Sequence, residues 1–117
     1  MDRITTERLI IRRFTQDDWQ DLYEYLSNPG VVFYEPYDVF SEEACKQEAI
    51  ARAGDPAFWA VCLKNNKVIG NLYLGEQDFD AFELGFVFNE NYQHKGYATE
   101  SAKALIGHMF RESVQEG

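Results

Sequence analysis

At 117 residues, with 45% apolar and 15% aromatic side chains, the chain is long enough for one domain with a modest core and too apolar to be disordered. A net charge of −9 disfavours non-specific nucleic-acid binding, which draws on an excess of Lys and Arg; it suits basic acceptors such as amines, although an acidic balance also serves solubility. No apolar run has the length of a bilayer span, the opening MDRITTER lacks an apolar signal core, and Cys45 and Cys62 have neither metal-ligand nor CxxC spacing. The expectation is therefore a cytoplasmic protein with reduced thiols, no metal and no membrane association.

Residues 8–14 (RLIIRRF) read as a first strand whose flanking arginines suggest an edge or near-edge position. Thr15 and Asp18 have the form of a capping box, and the helix after them gathers Trp19, Leu22, Tyr23 and Leu26 on one side before Pro29 and Gly30 stop it. Residues 31–40 (VVFYEPYDVF) follow neither period. Their aromatics, Phe33, Tyr34, Tyr37 and Phe40, form either a lid on the core or the wall of a binding site.

Ser41 caps a second helix, with Glu42 and Glu43 in its first turn and Ala44, Cys45, Ala49 and Ala53 on its apolar side. Residues 58–63 (FWAVCL) are a continuous apolar run, as in a strand covered on both faces, and residues 68–74 return as the hairpin partner after the polar turn 64–67. A turn at 77–80 leads to residues 82–88, where Phe82, Leu84, Phe86 and Phe88 alternate with Glu83, Gly85 and Val87, a pattern that predicts a strand with one face firmly buried. From Ala98 the apolar and small residues recur at helical spacing through Ser101, Ala102, Leu105, Ile106 and Met109, which puts Thr99, Glu100, Lys103 and His108 on the wet side. The order is strand, two helices, three-strand meander, helix: an α/β (α+β) domain over residues 1–117, its mostly antiparallel sheet flanked by helices.

Between the last strand and the last helix lies Gln93-His94-Lys95-Gly96-Tyr97-Ala98-Thr99. A strand that feeds a helix through a Gly-containing loop leaves N–H groups unpaired at the positive end of the helix dipole, which is where phosphates bind. Gly96 also fits a plain turn between a strand and a helix, but such a turn has no need of His94 and Lys95 beside the helix start. Glu90 and Glu100 are anions near this place and are read as solvent-facing.

The string Q-x-x-G-x-A in this context, with Glu83-Leu84-Gly85-Phe86 before it and Thr6-Glu7-Arg8-Leu9-Ile10-Ile11-Arg12 at the start, resembles the GNAT family of N-acetyltransferases, in the branch of the ribosomal-protein N-terminal acetyltransferases. The resemblance implies a GNAT-like fold and acetyl-CoA as acetyl donor. It implies that the amides of Gln93, His94, Lys95, Gly96, Tyr97, Ala98 and Thr99 hold the pyrophosphate while the backbone of Phe86, Val87 and Phe88 pairs with the pantetheine arm. It implies further an amine acceptor, either a small molecule or a protein N-terminus, bordered by Phe33, Tyr34 and Tyr37, and Glu83 as the base, although Glu83 equally suits the wet face of its strand. In that family further strands and the usual general acid follow the last helix. The sequence stops at Gly117, so the expectation is a sheet without those C-terminal strands, its open edge closed by a homodimer; the alternative is a non-catalytic acyl-CoA-binding or interaction module.

Overall fold

The computed structural model describes residues 3–33, 35–76 and 82–116. Its elements are β1 (Arg3–Thr5), β2 (Leu9–Arg12), α1 (Trp19–Leu26), α2 (Pro29–Val32), α3 (Glu42–Ala53), β3 (Phe58–Leu63), β4 (Val68–Glu76), β5 (Phe82–Phe88) and α4 (Tyr97–Glu116). The strands form one antiparallel sheet in the order β1-β2-β3-β4-β5, so each strand pairs with its neighbour in sequence. The expected α/β architecture is present, with corrections. The strand expected over residues 8–14 spans only Leu9–Arg12 and takes the near-edge of the two positions expected for it, because the short β1 pairs outside it. α1 ends at Leu26, before Pro29 and Gly30, as expected, but these two then open a further one-turn helix, α2, with Asn28 Oδ1 accepting from Gly30 N–H at 2.9 Å.

Alternation along the strands sends side chains to two cores. On one face Ile10, Ala60, Cys62 and Val68 meet Leu22, Tyr25 and Leu26 of α1 and Cys45 and Ala49 of α3. On the other, Leu9, Ile11, Trp59, Val61, Ile69, Leu72 and Phe88 meet Leu105 of α4. The result is three layers, with α1 and α3 on one side of the sheet and α4 on the other. Tyr25, not Tyr23, takes the inward place on α1: Tyr25 is fully buried and Tyr23 exposed. The capping interaction is present, Thr15 N–H donating to Asp18 Oδ2 at 2.8 Å, but it opens a tight 3-10 turn at Gln16–Asp18, which resets the phase of the helix behind it.

The strand expected to have a firmly buried face does not have one. Phe82, Leu84 and Phe86 are exposed and only Phe88 is buried, because α4 packs over β1 and β2 and leaves the far end of β5 uncovered. Phe88 reaches the core by lying over Gly70, where an added Cβ would stand 2.5 Å from its ring. Cys45 and Cys62 are both buried, and burial pushes each thiol up to about 11. No helix is long and apolar enough to cross a membrane, and the described residues hold no cluster of metal-ligating side chains.

Candidate functional site

The chain leaves β5 at Phe88 and enters α4 at Tyr97. Asn89 secures the exit: its N–H donates to Ile69 C=O, its Oδ1 accepts from Asn91 N–H, and its Nδ2 donates to Glu24, each at 2.9 Å. A 3-10 turn at Glu90–Tyr92 follows, and Gln93 Nε2 reaches back to Phe88 C=O at 2.9 Å, tying the loop to the strand it came from. His94 then takes φ +63° and Gly96 φ +82°. Positive φ is the region that glycine occupies without strain, which accounts for Gly96, while His94 adopts it as an uncommon non-glycine residue. The first backbone bond of α4 runs from Glu100 N–H to Gly96 C=O at 3.0 Å, so the N–H groups of Tyr97, Ala98 and Thr99 precede the helical ladder. These three residues line a cavity of about 390 Å³ together with Phe86, Val87 and Phe88 of β5 and with Gln93, His94 and Gly96.

Arg8 holds the loop from behind. Its Nη1 donates to Lys95 C=O at 2.9 Å, its Nε pairs with Glu100 at 2.7 Å, and its guanidinium lies 4.4 Å from the centre of the Tyr97 ring. Fixing the Lys95 carbonyl to the rear fixes the next amide to the front, because the peptide unit is planar. Glu100, expected to face solvent, is instead half-buried: it accepts from Thr6 Oγ1 at 2.6 Å and from Arg8 N–H at 3.1 Å. Its charge is thus spent within the fold and does not oppose an anion at the helix start. Glu90 is exposed as expected and accepts from Asn28 Nδ2 at 2.6 Å.

Burial alone would raise the pKa of Glu100, but the bonds from Thr6 and Arg8 outweigh it and hold the carboxyl below its ordinary 4.5. A lowered folded-state pKa means stability that is complete above the ordinary value and lost as pH falls through the lowered one. Glu100→Gln is expected to cost about 1 kcal/mol at neutral pH. Urea titrations should show the gap to the parent chain closing below pH ~4.5; a gap that persists unchanged into acid would refute the role given to the charge.

A second cavity, of about 510 Å³, opens on the α1/α3 face of the sheet. It shares Glu35, Phe86 and Val87 with the first, so the two spaces meet at β5. Of the residues expected at the acceptor, Tyr37 lines this space, Phe33 is 74% exposed and lines neither, and Tyr34 lies outside the described residues. Glu83 is exposed and lines the second cavity only, and Lys95 is exposed and lines neither. Sequence reasoning passed over Arg8 as a brace, Glu35 at the junction, and Asn71 and Arg52 on the second cavity's floor. Arg8 lies within the fragment TERLIIR, but nothing in the order of residues marks it as a brace or pairs Glu35 or Asn71 with β5.

Residues 8–116 match the family model described as an acetyltransferase (GNAT) domain. The chain is 43% identical over 115 residues to the uncharacterized N-acetyltransferase YnaD of Bacillus subtilis, an alignment covering 93% of this chain and 66% of that protein. An acetyltransferase of the GNAT family from Bacillus anthracis superposes with a TM-score of 0.87 at 34% identity, over 95% of this chain and 68% of that one. A ribosomal-protein-S5-alanine acetyltransferase from Vibrio fischeri shares the fold, with a TM-score of 0.76 at 20% identity over 97% of this chain and 69% of that one. The chain spans about two thirds of the length of these relatives. A match over nearly every residue, together with a fold that sets a helix start and a strand edge around one cavity, establishes that the chain belongs to the GNAT family.

Proposed function

We propose that the chain moves an acetyl group from acetyl-CoA to a primary amine. The observation that carries the proposal is the meeting of the two cavities at Phe86 and Val87: the first supplies amides and a helix start for a diphosphate, and the second supplies room for an acceptor. Among the described residues the edge of β5 away from β4 has no strand beside it, so its backbone is available to a pantetheine arm running from the loop toward Val87. Acetyl-CoA would present its thioester at that junction. The amine nitrogen attacks the carbonyl carbon, the C–N bond forms as the C–S bond breaks, the thiolate leaves to be protonated, and the proton lost by the amine goes to a carboxylate.

Two carboxylates compete for that proton. Glu83 lies three residues along β5 from Phe86, about 10 Å at the rise of a strand. Glu35 lines both cavities and lies at their junction, so the geometry favours it for direct contact with the amine. Loss of a general base slows turnover by about 10²–10⁴-fold, so Glu35→Gln is expected to fall in that range and Glu83→Gln well short of it. Association of two copies through the exposed β5 edge belongs to the same proposal and is read by sedimentation velocity.

The test is thiol release from acetyl-CoA with a panel of amines, checked by the mass of the acetylated product. The protein's own thiols stay silent in such an assay because both are buried and protonated far above working pH. Amine-dependent release supports transfer. A rise in melting temperature with CoA but no release would leave a non-catalytic acyl-CoA-binding module, and neither response would remove both readings.

A further inference from the structure

The one-turn helix α2 is held at both ends. Val32, 5% exposed, sits in the core with Leu22 and Leu26 of α1. At the other end Asn28 works in two directions: its Oδ1 accepts from Gly30 N–H at 2.9 Å, and its Nδ2 donates to Glu90 Oε2 at 2.6 Å. Glu90 opens the 3-10 turn that leads from β5 toward the Gly96 loop, and its C=O accepts from Gln93 N–H at 3.4 Å. The bond between Asn28 and Glu90 therefore joins two segments 62 positions apart in the chain. Both line the first cavity, the one through Val31 and Glu35 and the other through Tyr92 and Gln93.

A helix of four residues has too few internal bonds to fix its own axis, so anchored at Val32 alone it could pivot. The tether at Asn28 removes that freedom. Glu35 follows three residues after Val32, and its N–H donates to Val32 C=O at 2.9 Å. The orientation of α2 thus passes to the residue that lines both cavities where they meet. An exposed bond such as that of Asn28 with Glu90 adds little to stability. What it sets is a position, and a reacting group displaced by about 1 Å can lose about a hundredfold in rate.

We propose that Asn28 and Glu90 are positioning residues: their bond clamps α2 to the turn before the Gly96 loop and so places the Glu35 carboxylate at the junction of the cavities. The inference rests on the acetyl-transfer reading for its effect on turnover. Its effect on CoA binding is separate from turnover, because Val31 and Tyr92 line the first cavity whichever chemistry follows.

The test opens the clamp and closes it again with the bond reversed. Asn28→Asp keeps the cap, since a carboxylate still accepts from Gly30 N–H, but it sets a like charge against Glu90. Glu90→Gln in that background returns a donor, now from the other side. CoA affinity by calorimetry, and kcat and KM for an amine, are measured on the parent, Asn28→Asp and the double variant. Asn28→Asp is expected to lose about threefold to tenfold in CoA affinity and about tenfold to a hundredfold in kcat. Its melting temperature should stay within a few degrees of the parent's. The double variant should recover both quantities to within about threefold. Because the clamp acts through Glu35, Asn28→Asp should cost little further turnover in a Glu35→Gln background, where a role in folding alone would add in full. Parent-like CoA affinity and turnover in Asn28→Asp, no recovery in the double variant, or a full additional loss on top of Glu35→Gln overturns the proposal. If the parent binds CoA but acetylates no amine, the transfer reading falls and the CoA affinities alone decide the clamp; if it binds no CoA, both fall.

Discussion

Gly96→Val is expected to weaken CoA binding by at least thirtyfold and to carry the acetyl-transfer rate down with it. At φ +82° the residue sits where an L-side chain meets its following carbonyl, at a cost of about 1–2 kcal/mol, and a β-branched side chain is the worst choice for that region. An added Cβ would stand 3.4 Å from Arg8 Nη2, so the two methyls of valine must push the guanidinium off the Lys95 carbonyl it holds. Losing that bond adds about 1 kcal/mol or more. The sum, about 2–3 kcal/mol, converts to roughly thirtyfold to 150-fold in affinity. Gly96→Ala, which carries the backbone cost alone, should lose about tenfold. Calorimetry with CoA, beside circular dichroism to show that the helices persist, decides the matter. A folded Gly96→Val protein that binds CoA as the parent does would mean the loop amides are not the diphosphate site.

The loop was legible in the sequence because its signals are local: an alternating strand, a glycine and an amphipathic helix fall within about thirty residues, and each reports its own backbone. The Ser41 cap is legible for the same reason, its Oγ accepting from Ala44 N–H three residues on. Arg8 was not legible as a brace, since its bonds to Lys95 and Glu100 join residues about ninety positions apart, and no periodicity records a partner. Glu100 was misread by the same blindness: its place on the helix predicts a wet side chain, and only the docking of the β1–β2 turn against α4 brings Thr6 and Arg8 to it.

Phe82, Leu84 and Phe86 show a different limit. Alternation tells which side chains share a face, but whether anything covers that face depends on where the next helix lies, and α4 packs closely over β1 and β2 while an open groove separates its Ile106, Met109 and Phe110 from Phe82 and Leu84. Tyr23 and Tyr25 show a third. Each pairs with apolar neighbours at helical spacing, and the choice between them turns on a buried Asn71 that only the folded sheet presents.

Leu105→Ala is expected to destabilise the chain by about 2–5 kcal/mol, the largest effect of any single truncation among the described side chains of α4. Leu105 is fully buried among Leu9, Ile11, Trp59 and Ile69, whereas Ile106, Met109 and Phe110 on the same helix are exposed. Apart from Ser101, no other described side chain of α4 is fully buried, so Leu105 is the principal apolar peg holding the helix to the sheet. The melting temperature should fall by roughly 10–20 °C, against a change of a few degrees for Ile106→Ala, which is half exposed. The consequence reaches the site because the start of α4 is one wall of the first cavity: a helix free to shift no longer presents its amides beside Val87. On the proposed reading CoA would bind only the docked arrangement, so ligand at a hundredfold over its Kd should return about 2.7 kcal/mol to parent and variant alike, once the variant's weaker Kd is matched by concentration. Equal melting losses for Leu105→Ala and Ile106→Ala would show that the helix is held elsewhere, and a CoA effect on the parent but none on Leu105→Ala at matched saturation would show that the variant's helix start no longer forms the site at all.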